Sequence, residues 1–94
     1  MAKPFLVYGR PDCEDTQRAL EYLDHRGVTY DFININEDPE AEQFVVLYNS
    51  GERITPTIVM GLEENRRVLV EPSDQELGDT LDEMGYEDPR QERF

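Results

Sequence analysis

Short apolar runs and helically spaced apolar residues alternate along the first half of the chain. Residues 5–8 are apolar and precede the turn-forming residues 9–12, which predicts a strand buried on both faces. Apolar or small residues then recur at intervals of three and four, which predicts a helix ended by Gly27: Thr16, Ala19, Leu20 and Leu23. Residues 28–35 are rich in β-branched and aromatic types and predict a second strand. Strand, helix and strand in this length predict a right-handed parallel βαβ unit.

The second half of the chain contains clear helix-start signals. Asp38 precedes Pro39, a pair that suits an N-cap and a first helical position. The apolar stripe predicted for this second helix is Phe44, Val45, Leu47 and Tyr48. Residues 57–60 and 67–70 are β-prone runs joined by residues 61–66, which predicts an antiparallel hairpin. Residues 73–76 have capping-box spacing and predict a third helix with an apolar face of Leu77, Leu81 and Met84.

The predicted element order is βαβαββα. A four-stranded mixed sheet covered by three helices, an α/β architecture, is the economical packing of these elements. A chain of 94 residues builds one hydrophobic core, so we expect a single domain over residues 1–85. Residues 86–94 are polar and aperiodic, and we expect this tail to fray.

Composition narrows the class of protein. With 37% hydrophobic and 33% charged residues, the chain is typical of a small globular protein. Nine basic against 22 acidic residues give a net charge of −13, which repels phosphate backbones and argues against nucleic acid. No apolar run approaches the roughly 20 residues of a membrane helix, so we expect no membrane association and a cytoplasmic location. The acidity suits either solubility in a salt-rich cytoplasm or a basic partner, and composition does not separate the two.

The sole cysteine, Cys13, excludes an intramolecular disulfide and a metal site built from several cysteines of one chain. It lies in the predicted turn between a buried strand and a helix start, where unpaired amides and the helix dipole favour a thiolate. Arg10 could supply a cation. Asp12, Glu14 and Asp15 oppose a second anion. A lone cysteine is otherwise most often a small buried apolar residue. We expect the local dipoles to prevail over the screened acidic charges and to lower the pKa of the thiol.

Three segments of the chain together resemble a glutaredoxin: residues 7–16, Thr55-Pro56-Thr57 before the third strand, and Glu71-Pro72-Ser73-Asp74 before the last helix. The resemblance covers about residues 4–84 and implies a thioredoxin-like fold. In glutaredoxins the first position of a C-x-x-C or C-x-x-S motif is the nucleophile, which the resemblance assigns to Cys13. The fourth position is Thr16, so the chain is similar to the single-cysteine and mycoredoxin-like branches of the family.

The resemblance also implies a binding site for a small thiol. It implies a cis Pro56 facing the nucleophile and a Thr55 backbone that pairs with the cysteinyl part of glutathione. Ser73 and Asp74 match the helix start that binds the γ-glutamyl carboxylate, with helix capping as their alternative role. Arg10 approximates the basic residue that meets the glycine carboxylate, and Tyr8 borders the pocket unless it is a core residue. The family's usual glycine pair is replaced by Glu71-Pro72, and we expect His25 to be a surface residue.

These features predict a thiol-disulfide oxidoreductase that reduces mixed disulfides of proteins with a small thiol by a monothiol mechanism, acting as a monomer. Glutathione is the family's usual thiol, and mycothiol or bacillithiol are alternatives. A second hypothesis is a carrier of a [2Fe-2S] cluster, whose family motif C-G-F-S is matched only at Cys13. A third is a binding module with a vestigial site, which the acidic surroundings and the absence of a second cysteine favour.

Overall fold

The sheet places the starts of all the helices at one edge. The computed structural model describes residues 5–61 and 66–85. These residues form seven elements: β1 Phe5–Gly9, α1 Glu14–His25, β2 Asp31–Asn34, α2 Pro39–Tyr48, β3 Thr57–Met60, β4 Arg67–Val70 and α3 Asp74–Glu83. The strand order is β2-β1-β3-β4. Strands β1 and β2 are parallel, and β3 is antiparallel to both β1 and β4. Because β1, β2 and β4 run in the same direction, α1, α2 and α3 begin at the same edge. This confirms the predicted α/β order.

The two faces of the sheet carry separate cores. On one face, α1 and α3 cover β1 and β3, and the buried cluster is Phe5, Val7, Ala19, Leu23, Val28, Ile58, Met60, Leu77 and Leu81. On the other face, a smaller cluster consists of Ile35, Ala41 and Val45, with Tyr8 and Ile33 packed against it. Alternate residues of β1 point to opposite faces, which is why Val7 and Tyr8 belong to different cores.

The second strand is shorter than the strand predicted for residues 28–35. Gly27 has a φ of 71°, and the Val28 amide donates to the Leu23 carbonyl over 3.0 Å. This is the bond of a Schellman motif, with Val28 and Leu23 both buried as its hydrophobic contact. The first predicted strand residue therefore belongs to the end of α1, and pairing with β1 begins at Asp31.

Helix α2 begins as predicted but buries a different face. The Asp38 carboxylate accepts the Ala41 amide at 3.1 Å, and Pro39 occupies the first turn. The buried residues are Ala41 and Val45, whereas Leu47 is 71% exposed and Phe44 and Tyr48 are also exposed. The predicted stripe was therefore wrong at three of its four positions. This short helix covers little of the sheet, so the face that it buries is narrower than the predicted stripe.

The ends of α1 and α3 are joined by a buried cation. Arg26 donates to the Asp82 carboxylate over 3.1 Å and to the Tyr22 hydroxyl over 3.1 Å. Gly78 lies at this contact between the helices, where an added Cβ would lie 2.5 Å from the Tyr22 hydroxyl oxygen and would force a shift. The predicted frayed tail, residues 86–94, lies outside the described residues.

Candidate functional site

Cys13 occupies the N-cap position of α1. Its amide donates to the Arg10 carbonyl over 3.1 Å, which closes the turn after β1, and its carbonyl accepts the Gln17 amide at 3.0 Å. The extended backbone of Cys13, with φ −92° and ψ 122°, is the usual N-cap conformation. Within the described structure its side chain forms no capping hydrogen bond, and the thiol is half-buried. The turn thus presents the sulfur at the positive end of α1.

The loop before β3 lies against the sulfur. The Thr55–Pro56 peptide bond is cis, as predicted, and Thr55 is only 3% exposed. The Cys13 thiol lies 3.7 Å from the Thr55 carbonyl oxygen, and the Thr55 hydroxyl donates to Cys13 Sγ over 3.3 Å. The predicted proximity of the Thr55 backbone to Cys13 is therefore confirmed, and the Thr55 side chain reaches the sulfur as well.

Arg10 reaches the sulfur indirectly. Its Nε donates to the Thr55 hydroxyl oxygen over 3.4 Å. The sequence made Arg10 a candidate cation for the thiolate. In the structure its guanidinium contacts the hydroxyl that in turn contacts Cys13.

Thr16 faces Cys13 from the first turn of α1 and is fully buried. Its hydroxyl forms no hydrogen bond of normal length and angle with any residue that the structure describes. Thr16 packs directly on Gly9, where an added Cβ would lie 2.6 Å from Thr16 Cγ2 and 2.9 Å from its Oγ1. Gly9 therefore permits β1 to approach the start of α1 closely.

Burial and four hydrogen-bond donors act on the pKa of Cys13 in opposite directions. Burial raises it. The Thr55 hydroxyl, the Thr16 hydroxyl and the backbone amides of Thr16 and Asp15 lower it, in that order, and together they bring the pKa down to about 7. Because the Thr16 hydroxyl forms no hydrogen bond of normal length and angle, it lowers the pKa of Cys13 as a dipole that faces the sulfur. A larger fraction of this thiol is therefore ionised at neutral pH than of a free cysteine. The direction agrees with the sequence-based expectation that helix-start dipoles lower this pKa.

The start of α3 is tied to α1 beside this turn. Ser73 Oγ accepts the Glu76 amide at 3.1 Å, which confirms the predicted cap. Arg18 on α1 donates to the Asp74 carboxylate over 3.0 Å and to the Pro72 carbonyl over 3.2 Å. The structure thus brings Ser73 and Asp74 to the same sheet edge as Cys13, with Arg18 as the link.

The residue before Pro72 takes a conformation that favours glycine. Glu71 has a φ of 48°, and its amide donates to the Pro56 carbonyl over 2.9 Å. The left-handed backbone at this position explains why a glycine would suit it. The cis-proline loop and the segment before α3 are thereby hydrogen-bonded to each other.

Tyr8 lies on the α2 side of the sheet, and His25 lies at the opposite end of α1 from Cys13. The Tyr8 ring packs against Phe44 at a centroid distance of 4.9 Å, on the α2 side of the sheet. Burial, followed by the nearby Asp38 charge, raises the pKa of Tyr8. This packing is that of a partly buried core residue. His25 is exposed at the end of α1, as predicted.

Sequence reasoning missed three contacts of the site, those of Arg18, the Thr55 side chain and Gly9. Arg18 gave no signal, because its partners on the α3 side lie more than fifty positions away. The side chain of Thr55 was also missed, although its backbone was not. Gly9 could have been found from its position between a strand and a helix start, where glycine often marks a close backbone approach.

No group of three or more His, Cys, Asp or Glu side chains among the described residues could hold a metal ion. Among the same residues, no helix has the length and apolarity needed to cross a membrane. A cavity of about 540 Å³ lies beside the end of β2, lined by Phe32, Ile33, Asn34, Glu37 and Asp38. These lining residues place it on the edge strand rather than in the Cys13 turn.

Solved structures show the same fold. A variant of the thioredoxin-like protein BC3987 matches with 28% identity and a TM-score of 0.66, over 83% of this chain and 94% of that one. The glutaredoxin grx-1 from Archaeoglobus fulgidus matches with 24% identity and a TM-score of 0.65, over 84% and 86% of the two chains. The protein XcR50 from X. campestris matches with 23% identity and a TM-score of 0.61, over 84% and 96%. The last two show the fold alone.

Sequence comparisons give the family. The Gene 56 protein of Mycobacterium phage D29 is 33% identical over 45 residues, which are 48% of this chain and 50% of that protein. The match therefore spans half the length of the phage protein. The sequence model of the glutaredoxin family matches residues 5–63, which include the β1–α1 turn with Cys13 and the cis-proline loop. With the thioredoxin-like fold and a thiol of lowered pKa against that loop, the chain belongs to the glutaredoxin family, whose chemistry is thiol-based redox exchange.

Proposed function

We propose that the protein reduces mixed disulfides between proteins and a low-molecular-weight thiol by a monothiol mechanism, with Cys13 as the nucleophile. The observation that carries the proposal is the Cys13 sulfur at the start of α1, in contact with the cis-proline loop and with a pKa of about 7. A thiol whose pKa lies near ambient pH combines a large thiolate fraction with good nucleophilicity.

The proposed reaction has two exchange steps. In the first, the Cys13 thiolate attacks the small thiol's sulfur in the mixed disulfide. A bond between Cys13 and that sulfur forms, the original disulfide breaks, and the substrate protein leaves as a thiolate that takes up a proton. In the second, a further small-thiol thiolate attacks the small thiol's sulfur bound to Cys13. The bond to Cys13 breaks and Cys13 leaves as a thiolate with its electron pair. The incoming thiolate supplies the pair of the new sulfur–sulfur bond, and the two small-thiol units depart as their disulfide.

The small thiol would be held by groups around Cys13. The Thr55 backbone before Pro56 would pair with its cysteinyl part, and the start of α3 at Ser73 and Asp74 would bind a carboxylate through backbone amides. Arg10 uses Nε for Thr55, and its terminal nitrogens would meet a second carboxylate. Two carboxylates are a feature of glutathione, which family membership also favours, and mycothiol and bacillithiol are the alternatives to compare.

Intact-protein mass spectrometry after incubation with oxidised glutathione tests the proposal. We expect one added glutathionyl group on the wild-type protein, none on Cys13→Ser, and its removal by reduced glutathione. Incubation with the disulfides of mycothiol and bacillithiol compares the small thiols. If none of these three disulfides, nor the small neutral hydroxyethyl disulfide, modifies Cys13, the proposed function is wrong.

The same purified protein distinguishes the two other hypotheses. A cluster carrier would show the visible absorbance of an iron–sulfur cluster after reconstitution with glutathione, and a binding module would be inert to disulfides and alkylating agents alike.

A further inference from the structure

Thr55 offers two different groups to one sulfur atom. Its carbonyl oxygen lies 3.7 Å from Cys13 Sγ and can accept only from the neutral thiol. Its hydroxyl lies 3.3 Å from the same sulfur and donates to it. When the thiol loses its proton the carbonyl contact loses its donor, whereas the hydroxyl contact becomes charge-assisted and strengthens. The hydroxyl is therefore the part of Thr55 that favours the reactive form.

Arg10 favours one direction of that hydroxyl. A hydroxyl has one proton and two lone pairs, and Arg10 Nε donates to the Thr55 oxygen over 3.4 Å. A lone pair that accepts from Arg10 leaves the hydroxyl proton free to point at Cys13. Thr55 is almost fully buried, so water competes poorly for this proton.

We propose that the Thr55 hydroxyl is a catalytic residue that stabilises the Cys13 thiolate, and that Arg10 is a positioning residue that acts through Thr55. The role of the Thr55 hydroxyl in turnover rests on the proposed function. In the first exchange step the hydroxyl stabilises the attacking thiolate, and in the second it stabilises the same thiolate as the leaving group. Its contact with the sulfur is a property of the free protein and can be measured without a disulfide substrate.

The first experiment measures iodoacetamide alkylation of Cys13 against pH. Thr55→Val keeps the shape of the side chain and removes the hydroxyl, and we expect the midpoint to rise by about one unit, roughly a tenfold loss of thiolate at pH 6. Thr55→Ser restores the hydroxyl and should restore the midpoint. The matched control is Thr57→Val, at the residue after Pro56 and the first of β3, since the buried Thr57 hydroxyl contacts the Ile54 carbonyl and Asn49 instead. We expect no shift for Thr57→Val.

The ionisable groups near Cys13 are the same in these variants. They are Arg10, Asp12, Glu14, Asp15 and Arg18 on the turn and α1, and Glu71 and Asp74 before and at the start of α3. A shift seen in Thr55→Val and absent in Thr55→Ser is therefore due to the hydroxyl. An unchanged midpoint in Thr55→Val, or a Thr57→Val midpoint that rises equally, would overturn the proposal. The proposed function would still stand if the glutathionyl adduct forms.

A double-mutant cycle tests the role of Arg10. Arg10→Gln should raise the alkylation midpoint in the wild-type background, by less than Thr55→Val does. In the Thr55→Val background the same change should have no further effect, because the hydroxyl through which Arg10 acts is gone. A full Arg10 effect in both backgrounds would show a direct charge effect on the sulfur and would overturn the positioning role.

Discussion

Helices α1 and α3 begin side by side at one edge of the sheet with different atoms at their N-caps. At α3, Ser73 Oγ accepts the Glu76 amide, and at α2 the Asp38 carboxylate accepts the Ala41 amide. At α1 the corresponding atom is the Cys13 sulfur, which forms no capping bond in the described structure. A neutral thiol is a weak acceptor and a thiolate is a strong one. The amides that stabilise the fold at α3 are thus available at α1 to stabilise an ionised sulfur.

The uncapped start of α1 is compensated by packing. Loss of an N-cap costs about 1 kcal/mol, but α1 buries Ala19 and Leu23 in the larger core and Thr16 against Gly9. Arg18 further holds α1 to the start of α3. A helix anchored in this way tolerates a poor cap, and this tolerance permits a reactive residue at the capping position.

The largest effect should come from making the α1 start resemble that of α3. Cys13→Ser removes the nucleophile, so we expect complete loss of alkylation and of glutathionyl adduct formation. The serine oxygen can accept the unpaired amides, so the free energy of unfolding should rise by up to about 1 kcal/mol. Urea denaturation measures the second effect, and a less stable serine variant would contradict the comparison.

The stability gained by Cys13→Ser should depend on pH. Folding lowers the pKa of Cys13 to about 7, below its value in the unfolded chain. Such a group stabilises the fold fully above the unfolded pKa, and this contribution is lost as pH falls through the folded pKa. The thiolate therefore offsets the missing cap at pH 9 and not at pH 6, and the advantage of the serine variant should be larger at pH 6. Equal advantages at both pH values would contradict the lowered pKa.

The next largest effect concerns the close approach of β1 to α1. Gly9→Ala would place a methyl group 2.6 Å from Thr16 Cγ2 and 3.3 Å from the Phe32 ring. Overpacking of this kind costs about 1–3 kcal/mol, and we expect that loss in urea denaturation. Removing the clashing methyl in the double variant Gly9→Ala, Thr16→Ser should recover part of it. A stable Gly9→Ala protein with unchanged Cys13 reactivity would show that the approach is less constrained than the structure indicates.

Local sequence signals predicted where the helices start. Contacts between distant parts of the chain determine where the second strand begins and which face of α2 is buried. Asp38 and Ser73 were identifiable because capping depends on residues within one turn. Residue 28 was misassigned because a β-branched side chain suits a strand and also the hydrophobic contact of a Schellman motif. The exposed side of α2 could not be inferred, since all four residues of its predicted stripe are apolar and the sheet determines which of them is covered.

The same distinction holds at the site. The Cys13 turn follows from adjacent residues, and the cis Pro56 was implied by family resemblance rather than by spacing. The Arg10–Thr55 and Thr55–Cys13 contacts join residues 45 and 42 positions apart. The periodicity of one segment carries no information on such distant pairs, so these contacts of the Thr55 side chain appear only in the folded structure.

A smaller effect is expected from Thr16, with opposite signs for stability and reactivity. Its buried hydroxyl has no hydrogen-bond partner among the described residues and lowers the pKa of Cys13. Thr16→Val keeps the shape of the side chain, so we expect unchanged or slightly higher stability because an unpaired buried polar group is removed. The alkylation midpoint should rise by less than in Thr55→Val, since the Thr55 hydroxyl has the larger influence. A lower midpoint in Thr16→Val would contradict this assignment.

The smallest effect should come from the acidic residues beside Cys13. Acidic residues in the first turn are a feature that α1 shares with α3. Glu14 and Asp15 occupy the first turn of α1, as Asp74 and Glu76 occupy that of α3. Carboxylates at these positions stabilise a helix by about 0.3–1 kcal/mol each. Replacing Asp12, Glu14 and Asp15 with the corresponding amides should therefore lower the stability of the fold. The replacement also removes the ion pair between Asp15 and Arg18, whose atoms lie 3.4 Å apart.

The same triple variant should lower the alkylation midpoint of Cys13, because three like charges near the thiolate are removed. We expect a shift well below one unit at physiological salt, where screening acts over roughly 8 Å, and a larger shift at low salt. The donors that lower this pKa are hydroxyls and amides facing the sulfur, which salt screens little. A fall of a full unit or more that vanishes in high chloride would show that the acidic residues, rather than the uncapped amides of α1, control the thiol.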